Sequence, residues 1–95
     1  MMGTIANATV ATEKGSRYMQ QLCKHWSHKF PVEFDTEKGR VEMPNCLLVM
    51  TAHPEGLDVA LDVAEGGDVE RLKVVVAEHL DRFAFREAPL PFVWA

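Results

Sequence analysis

Leu57-Asp58-Val59-Ala60-Leu61-Asp62-Val63 alternates apolar and small or charged side chains, then passes through Gly66-Gly67 to Asp68 and the segment up to Phe85. Successive side chains on a strand point to opposite faces, so a period of two predicts a strand with one buried and one wet face. After the glycines the period changes. Val69, Leu72, Val76, Leu80 and Phe83 fall on one helical arc, and Asp68 stands where an N-cap carboxylate can accept a free amide of the first turn. A half-buried strand leading into an amphipathic helix predicts a sheet covered by helices on one side.

Working back from Leu57, His53-Pro54-Glu55-Gly56 reads as a turn, and Cys46 to Ala52 is apolar on both faces, as expected of a strand inside the sheet. Pro44-Asn45 separates it from Arg40-Val41-Glu42-Met43. That segment forms a hairpin with Val32-Glu33-Phe34 across the turn Asp35-Thr36-Glu37-Lys38-Gly39. From Glu13 to about Lys29, steps of about 100° place Tyr18, Met19, Leu22, Trp26 and Phe30 on one arc, opposite Arg17, Gln20, Lys24 and Ser27. This second helix, capped by Thr12, stops before Pro31, which disfavours helical geometry at the preceding residue. Ile5 to Val10, with its β-branched residues, reads as a first strand. Residues 88–95, with Pro89 and Pro91, read as an extended apolar tail.

The fold expected from this order is a single α+β domain over residues 1–95. It is a two-layer sandwich, with an antiparallel-rich sheet of about five strands and two helices on one face, in the order β-α-β-β-β-β-α. Ninety-five residues suit one core, and 47% hydrophobic residues with 25% charged separate the chain from disordered sequences. A net charge of −4 repels phosphate backbones and anionic lipid, so neither nucleic acid nor a membrane is an expected partner. Met1-Met2-Gly3-Thr4-Ile5-Ala6-Asn7 lacks the basic and apolar regions of a leader peptide, which makes the expected location cytoplasmic. In that compartment Cys23 and Cys46 are expected to be free, buried thiols.

Cys23-Lys24-His25-Trp26-Ser27-His28-Lys29 gathers metal-ligand residue types, but Cys23 and His25 are about 200° apart around a helix and cannot share an ion. His25 and His28 share a flank and would need a distant partner such as His53 or His79. The simpler role for these bases is to complement the negative end of the helix dipole. His79 lies near the centre of an apolar arc and is expected to be partly buried, donating to a carbonyl or carboxylate.

Pooled, His25, His28, Lys29, His79, Arg82 and Arg86 could form a groove for a small acidic ligand. The meander between them reverses the chain an odd number of times from one helix to the other, however, so the two helices run antiparallel, which should set their basic ends at opposite edges. No phosphate loop, serine elbow or paired acid and base is present, so no catalytic residue, metal or cofactor is expected. Leu90, Phe92 and Trp94 project from the tail and can either fold back on their own sheet or cover a second copy as a homodimer.

Two stretches carry a family resemblance. Ser16-Arg17-Tyr18 through Leu22-Cys23-Lys24-His25-Trp26-Ser27-His28-Lys29-Phe30-Pro31-Val32-Glu33-Phe34, and Glu78-His79-Leu80-Asp81-Arg82-Phe83-Ala84-Phe85-Arg86-Glu87, resemble a family of small bacterial domains known as domain-of-unknown-function family 2218. The ending with Trp94 is similar to that family's close. Related copies are joined to siderophore-interacting flavoproteins. The resemblance therefore implies a role accessory to iron or siderophore metabolism, with a siderophore-pathway protein as partner, and it assigns no catalytic residue.

Overall fold

The computed structural model describes residues 3–95; Met1 and Met2, part of the start read above for a leader, lie outside the described residues. Its elements are β1 (Thr4–Ala11), α1 (Gly15–Trp26), β2 (Val32–Phe34), β3 (Lys38–Met43), β4 (Cys46–His53), β5 (Gly56–Val63), α2 (Val69–Phe83) and β6 (Phe92–Trp94). The sheet has six strands in the order β2-β3-β4-β5-β1-β6, and every neighbouring pair is antiparallel. Among the described residues, no helix is long and apolar enough to cross a membrane.

The alternation read from Leu57 to Val63 describes β5 directly. Leu57, Val59, Leu61 and Val63 are each at most 1% exposed, whereas Asp58 and Asp62 face solvent. Two-residue turns at Pro44-Asn45 and Pro54-Glu55 close β3 onto β4 and β4 onto β5, with Met43 opposite Cys46 and His53 opposite Gly56. Asn45 takes a positive φ of 62°, a conformation that asparagine tolerates better than most residues. Gly39 has a different reason to be glycine: a Cβ there would sit 2.7 Å from the Cys23 sulfur. Its bare backbone lets α1 lie close on β3.

Both helices cover one face. Tyr18, Met19, Leu22, Cys23 and Trp26 of α1 and Val76 and Leu80 of α2 are buried against Ala6, Ala8, Val10, Val41, Leu48, Met50 and the inward residues of β5. Asp68 caps α2 as expected, its carboxylate accepting the Arg71 amide at 3.0 Å. Thr12 acts slightly differently from a cap on α1. Lys14 holds the N-cap position, and the Thr12 hydroxyl accepts the Lys14 amide at 3.1 Å. The cysteines are free and buried.

The expectation of about five strands is corrected by the tail, which adds a sixth. Residues Phe92–Trp94 pair with β1, Val93 opposite Thr9, and the Ala95 amide donates to the Asn7 carbonyl at 2.8 Å. Phe92 and Trp94 lie opposite Val10 and Ala8, hence on the helix side, while Val93 points to the open side and is 68% exposed. The pairing satisfies main-chain groups that an exposed β1 edge would leave to water. It also buries Leu90 to 5% exposure. Both helices end earlier than the apolar arcs suggested, α1 at Trp26 and α2 at Phe83, because the flanking residues are wound into turns.

Candidate functional site

Contacts between the helices run in opposite chain order. The Tyr18 hydroxyl, in the first turns of α1, donates to Glu87 beyond the end of α2, and the last turn of α1 meets His79 and Phe83 in the C-terminal part of α2. The helices are therefore antiparallel, but staggered, because the twelve residues of α1 lie beside the C-terminal part of the fifteen-residue α2.

That stagger corrects the expectation that the basic flanks separate completely. The His25 and His79 rings approach to 5.9 Å between centroids, and Trp26 lies 5.0 Å from His79. His79 is half-buried, with Nδ1 2.7 Å from the Val75 carbonyl, so that this nitrogen carries the proton and donates. His25 is exposed and packs edge-on against Phe83. His28 and Lys29 lie in the exposed turn after α1, where Lys29 stands 5.6 Å from the Phe30 ring centroid. Arg82 is exposed in the last turn of α2. His53 is remote from all of them, on the helix-free face of the sheet, 2.7 Å from Asp58. Among the described residues, no three His, Cys, Asp or Glu side chains gather as metal ligands.

Arg86 goes the other way. It meets the start of α1 and, with Lys14, Arg17, Tyr18, Gln21, Phe83 and Phe85, lines a cleft of about 180 Å³. Three cations thus converge at one end of the helix pair, and among the described residues none of them is in an ion pair. The first turn of α1 contains no acid. Free amides at a helix start carry partial positive charge, so Lys14 and Arg17 add to that field and do not cancel it. This was the sequence signal available for the site, because cations at a helix N-terminus oppose the usual preference.

A small polar network lies beside the cleft and joins it through Tyr18 and Lys14. Glu87 accepts from both the Tyr18 and the Thr12 hydroxyls, the latter at 3.0 Å, and the Thr12 hydroxyl in turn accepts the Lys14 amide. The bond to Glu87 is the main reason the Tyr18 phenol is raised above its ordinary 10.0, and burial adds to it. Both effects keep the phenol protonated and donating. Gln21 forms part of the wall, and its side-chain oxygen is buried without a hydrogen-bond partner among the described residues. Phe85 is 73% exposed at the rim, with the Arg86 guanidinium 5.8 Å from its ring centroid.

The thiols offer no competing chemistry. Burial pushes Cys23 up to about 11, and Cys46 is raised by burial and by the Asp62 carboxylate, so neither supplies a thiolate at neutral pH. Leu90, Phe92 and Trp94, considered above as partner contacts, belong to the domain's own core and its border. The Phe92 and Trp94 rings stack at 5.8 Å, and Lys73 lies 5.2 Å from the Trp94 ring centroid.

Comparison with known proteins agrees with the fold and names no activity. No curated protein matches the sequence. The NMR structure of PA4090 from Pseudomonas aeruginosa is similar, with a TM-score of 0.78 at 33% identity over 96% of this chain and 94% of that one. A family model described as "Uncharacterized protein conserved in bacteria (DUF2218)" matches residues 7–95. With nearly its whole length inside that match, the chain belongs to the DUF2218 family of bacterial proteins.

Proposed function

We propose that this domain is a non-enzymatic binding module that takes a small organic anion in the cleft between the start of α1 and the segment after α2. The observation that carries this reading is the convergence of Lys14, Arg17 and Arg86, none ion-paired among the described residues, in a chain whose net charge is −4. Like charges brought together repel each other; the neighbouring Glu87 carboxylate is taken up by the Tyr18 and Thr12 hydroxyls and, among the described residues, is in no ion pair with the three cations, so a bound anion lowers that cost. Arginine also presents a planar donor fork that matches a carboxylate. This takes up the acidic ligand that the sequence offered only as an alternative and moves its site: Arg86 is retained, while His25, His28, Lys29, His79 and Arg82 lie outside the lining.

Titrating isotopically labelled protein with acetate, phosphate, citrate and benzoate tests the reading. Saturable shifts should centre on Arg17, Gln21 and Arg86. The double variant Arg17→Ala, Arg86→Ala should bind at least about tenfold more weakly, since a hydrogen bond to a charged group contributes about 1.5–3 kcal/mol. Saturation absent across the panel, or shifts confined to other surfaces, would overturn it.

A setting in iron or siderophore metabolism, with a siderophore-pathway protein as partner, belongs to the same proposal and rests on the resemblance; a cytoplasmic location is proposed with it. A homodimer is too, but the tail is occupied in its own sheet. The helix-free face, with Ile5 66% exposed, Val93 68% exposed and Leu47 and Val49 half-buried, is the surface left for it. Light scattering should then give twice the 10.7 kDa chain mass, falling to the monomer in Val49→Lys. A monomeric parent protein removes the dimer and leaves the cleft untouched.

A further inference from the structure

The walls of the cleft narrow the ligand class, and this step rests on the anion-binding reading above. We infer that the anion is a flat aromatic acid of one-ring size, its carboxylate held by Arg17 and Arg86 and its ring laid against Phe85 and Phe83.

Three observations point this way. Phe83, Phe85 and Tyr18 supply aromatic surface beside the cations, so the cleft combines a charged end with apolar walls. A site for a bare inorganic anion gains nothing from such walls. Phe85 is 73% exposed, although the core lies close by and Phe83, two residues earlier, packs against it. An aromatic ring left in water at the rim of a cationic cleft loses that exposure when a second ring covers it, and offset or edge-on ring pairs attract beyond the area they bury. The volume, about 180 Å³, slightly exceeds the roughly 150 Å³ cavity that admits benzene in an engineered protein. That space matches one ring with its carboxylate, and a larger acid leaves more of itself uncovered.

The geometry also orders the parts. The Arg86 guanidinium lies 5.8 Å from the Phe85 ring centroid, so a ligand ring laid against the exposed part of that phenyl group beside it brings its carboxylate within reach of the guanidinium. Arg17 approaches from α1 on the opposite wall. Each guanidinium presents two parallel N–H donors that a carboxylate can accept, so the charged end of the ligand can be held from both walls.

The test compares four probes on the full-length protein by labelled-protein titration and calorimetry: benzoate, acetate, benzamide and indole-3-acetate. Benzoate is expected to bind at least about tenfold more tightly than acetate, benzamide and indole-3-acetate, with shifts at Phe85 and Arg86. Phe85→Ala, a surface change expected to leave the melting temperature unaltered, should weaken benzoate about five- to tenfold and acetate by less than about twofold. Acetate equal to benzoate, or Phe85→Ala without effect on benzoate, overturns the aromatic assignment and leaves the anion site standing. Indole-3-acetate equal to or tighter than benzoate overturns the one-ring limit. Benzamide equal to benzoate overturns the anion site itself, as does the absence of binding by any probe.

Discussion

Deleting residues 89–95 should bring the domain to the margin of folding in buffer at 25 °C, lowering its urea midpoint by about half or more and weakening the far-ultraviolet signal of both helices. Leu90 is 5% exposed, and fully burying a leucine contributes about 1.5–3 kcal/mol. Phe92 and Trp94 are half-buried on the helix side of β6, and each adds about half the value of a buried aromatic residue. The cut also removes the β6 ladder to β1 and the bond from the Leu90 amide to Asp81 on α2. These losses come to about 5 kcal/mol after the ordering entropy of a short segment is set against them. A domain this small is stable by roughly 5–10 kcal/mol in all. Single changes should scale accordingly, with Leu90→Ala costing about 2–3 kcal/mol. A truncated chain within about 1 kcal/mol of the parent in urea would mean that the tail contributes no packing to its own domain.

Alkaline pH should produce the second large effect. The Cys23 thiol is held up to about 11 by burial, against an ordinary 9.0 in the unfolded chain. A group that keeps its proton to higher pH when folded favours the folded state fully below pH 9, and that advantage is lost as pH rises through about 11. Two pH units correspond to about 3 kcal/mol. Cys46, raised by burial and Asp62, and Tyr18, raised mainly by its bond to Glu87, act in the same direction. Urea midpoints measured from pH 8 to 11.5 should therefore fall steeply. Cys23→Ala should lower the plateau by about 1 kcal/mol through lost packing but flatten the decline between pH 9 and 11. An equally steep decline in Cys23→Ala would remove Cys23 as its source.

The elements legible in the sequence were those whose evidence is local. The alternation from Leu57 to Val63 is a property of consecutive side chains, and so are the Asp68 cap and the apolar arcs of the two helices. Antiparallel helices also followed, because the number of reversals between them is set by the elements themselves. The cleft was legible only in hindsight, through two cations at the start of α1 where the dipole disfavours them. Residue type alone groups Arg86 with His25, His28 and Lys29, which stand at the far end of α1.

By itself the sequence determined an α+β domain, its hairpins, its helix faces and its family, because each is written in short-range periodicity or in blocks of adjacent residues. Tertiary structure alone decided that the tail becomes β6 and that β1 lies between it and β5. It also decided that the helices are staggered, so that His79 meets His25 while Arg86 meets Lys14 and Arg17. The physical reason is common to all three. Offsets between segments distant in the chain are chosen by which side chains fill the shared core, and no local pattern records that choice.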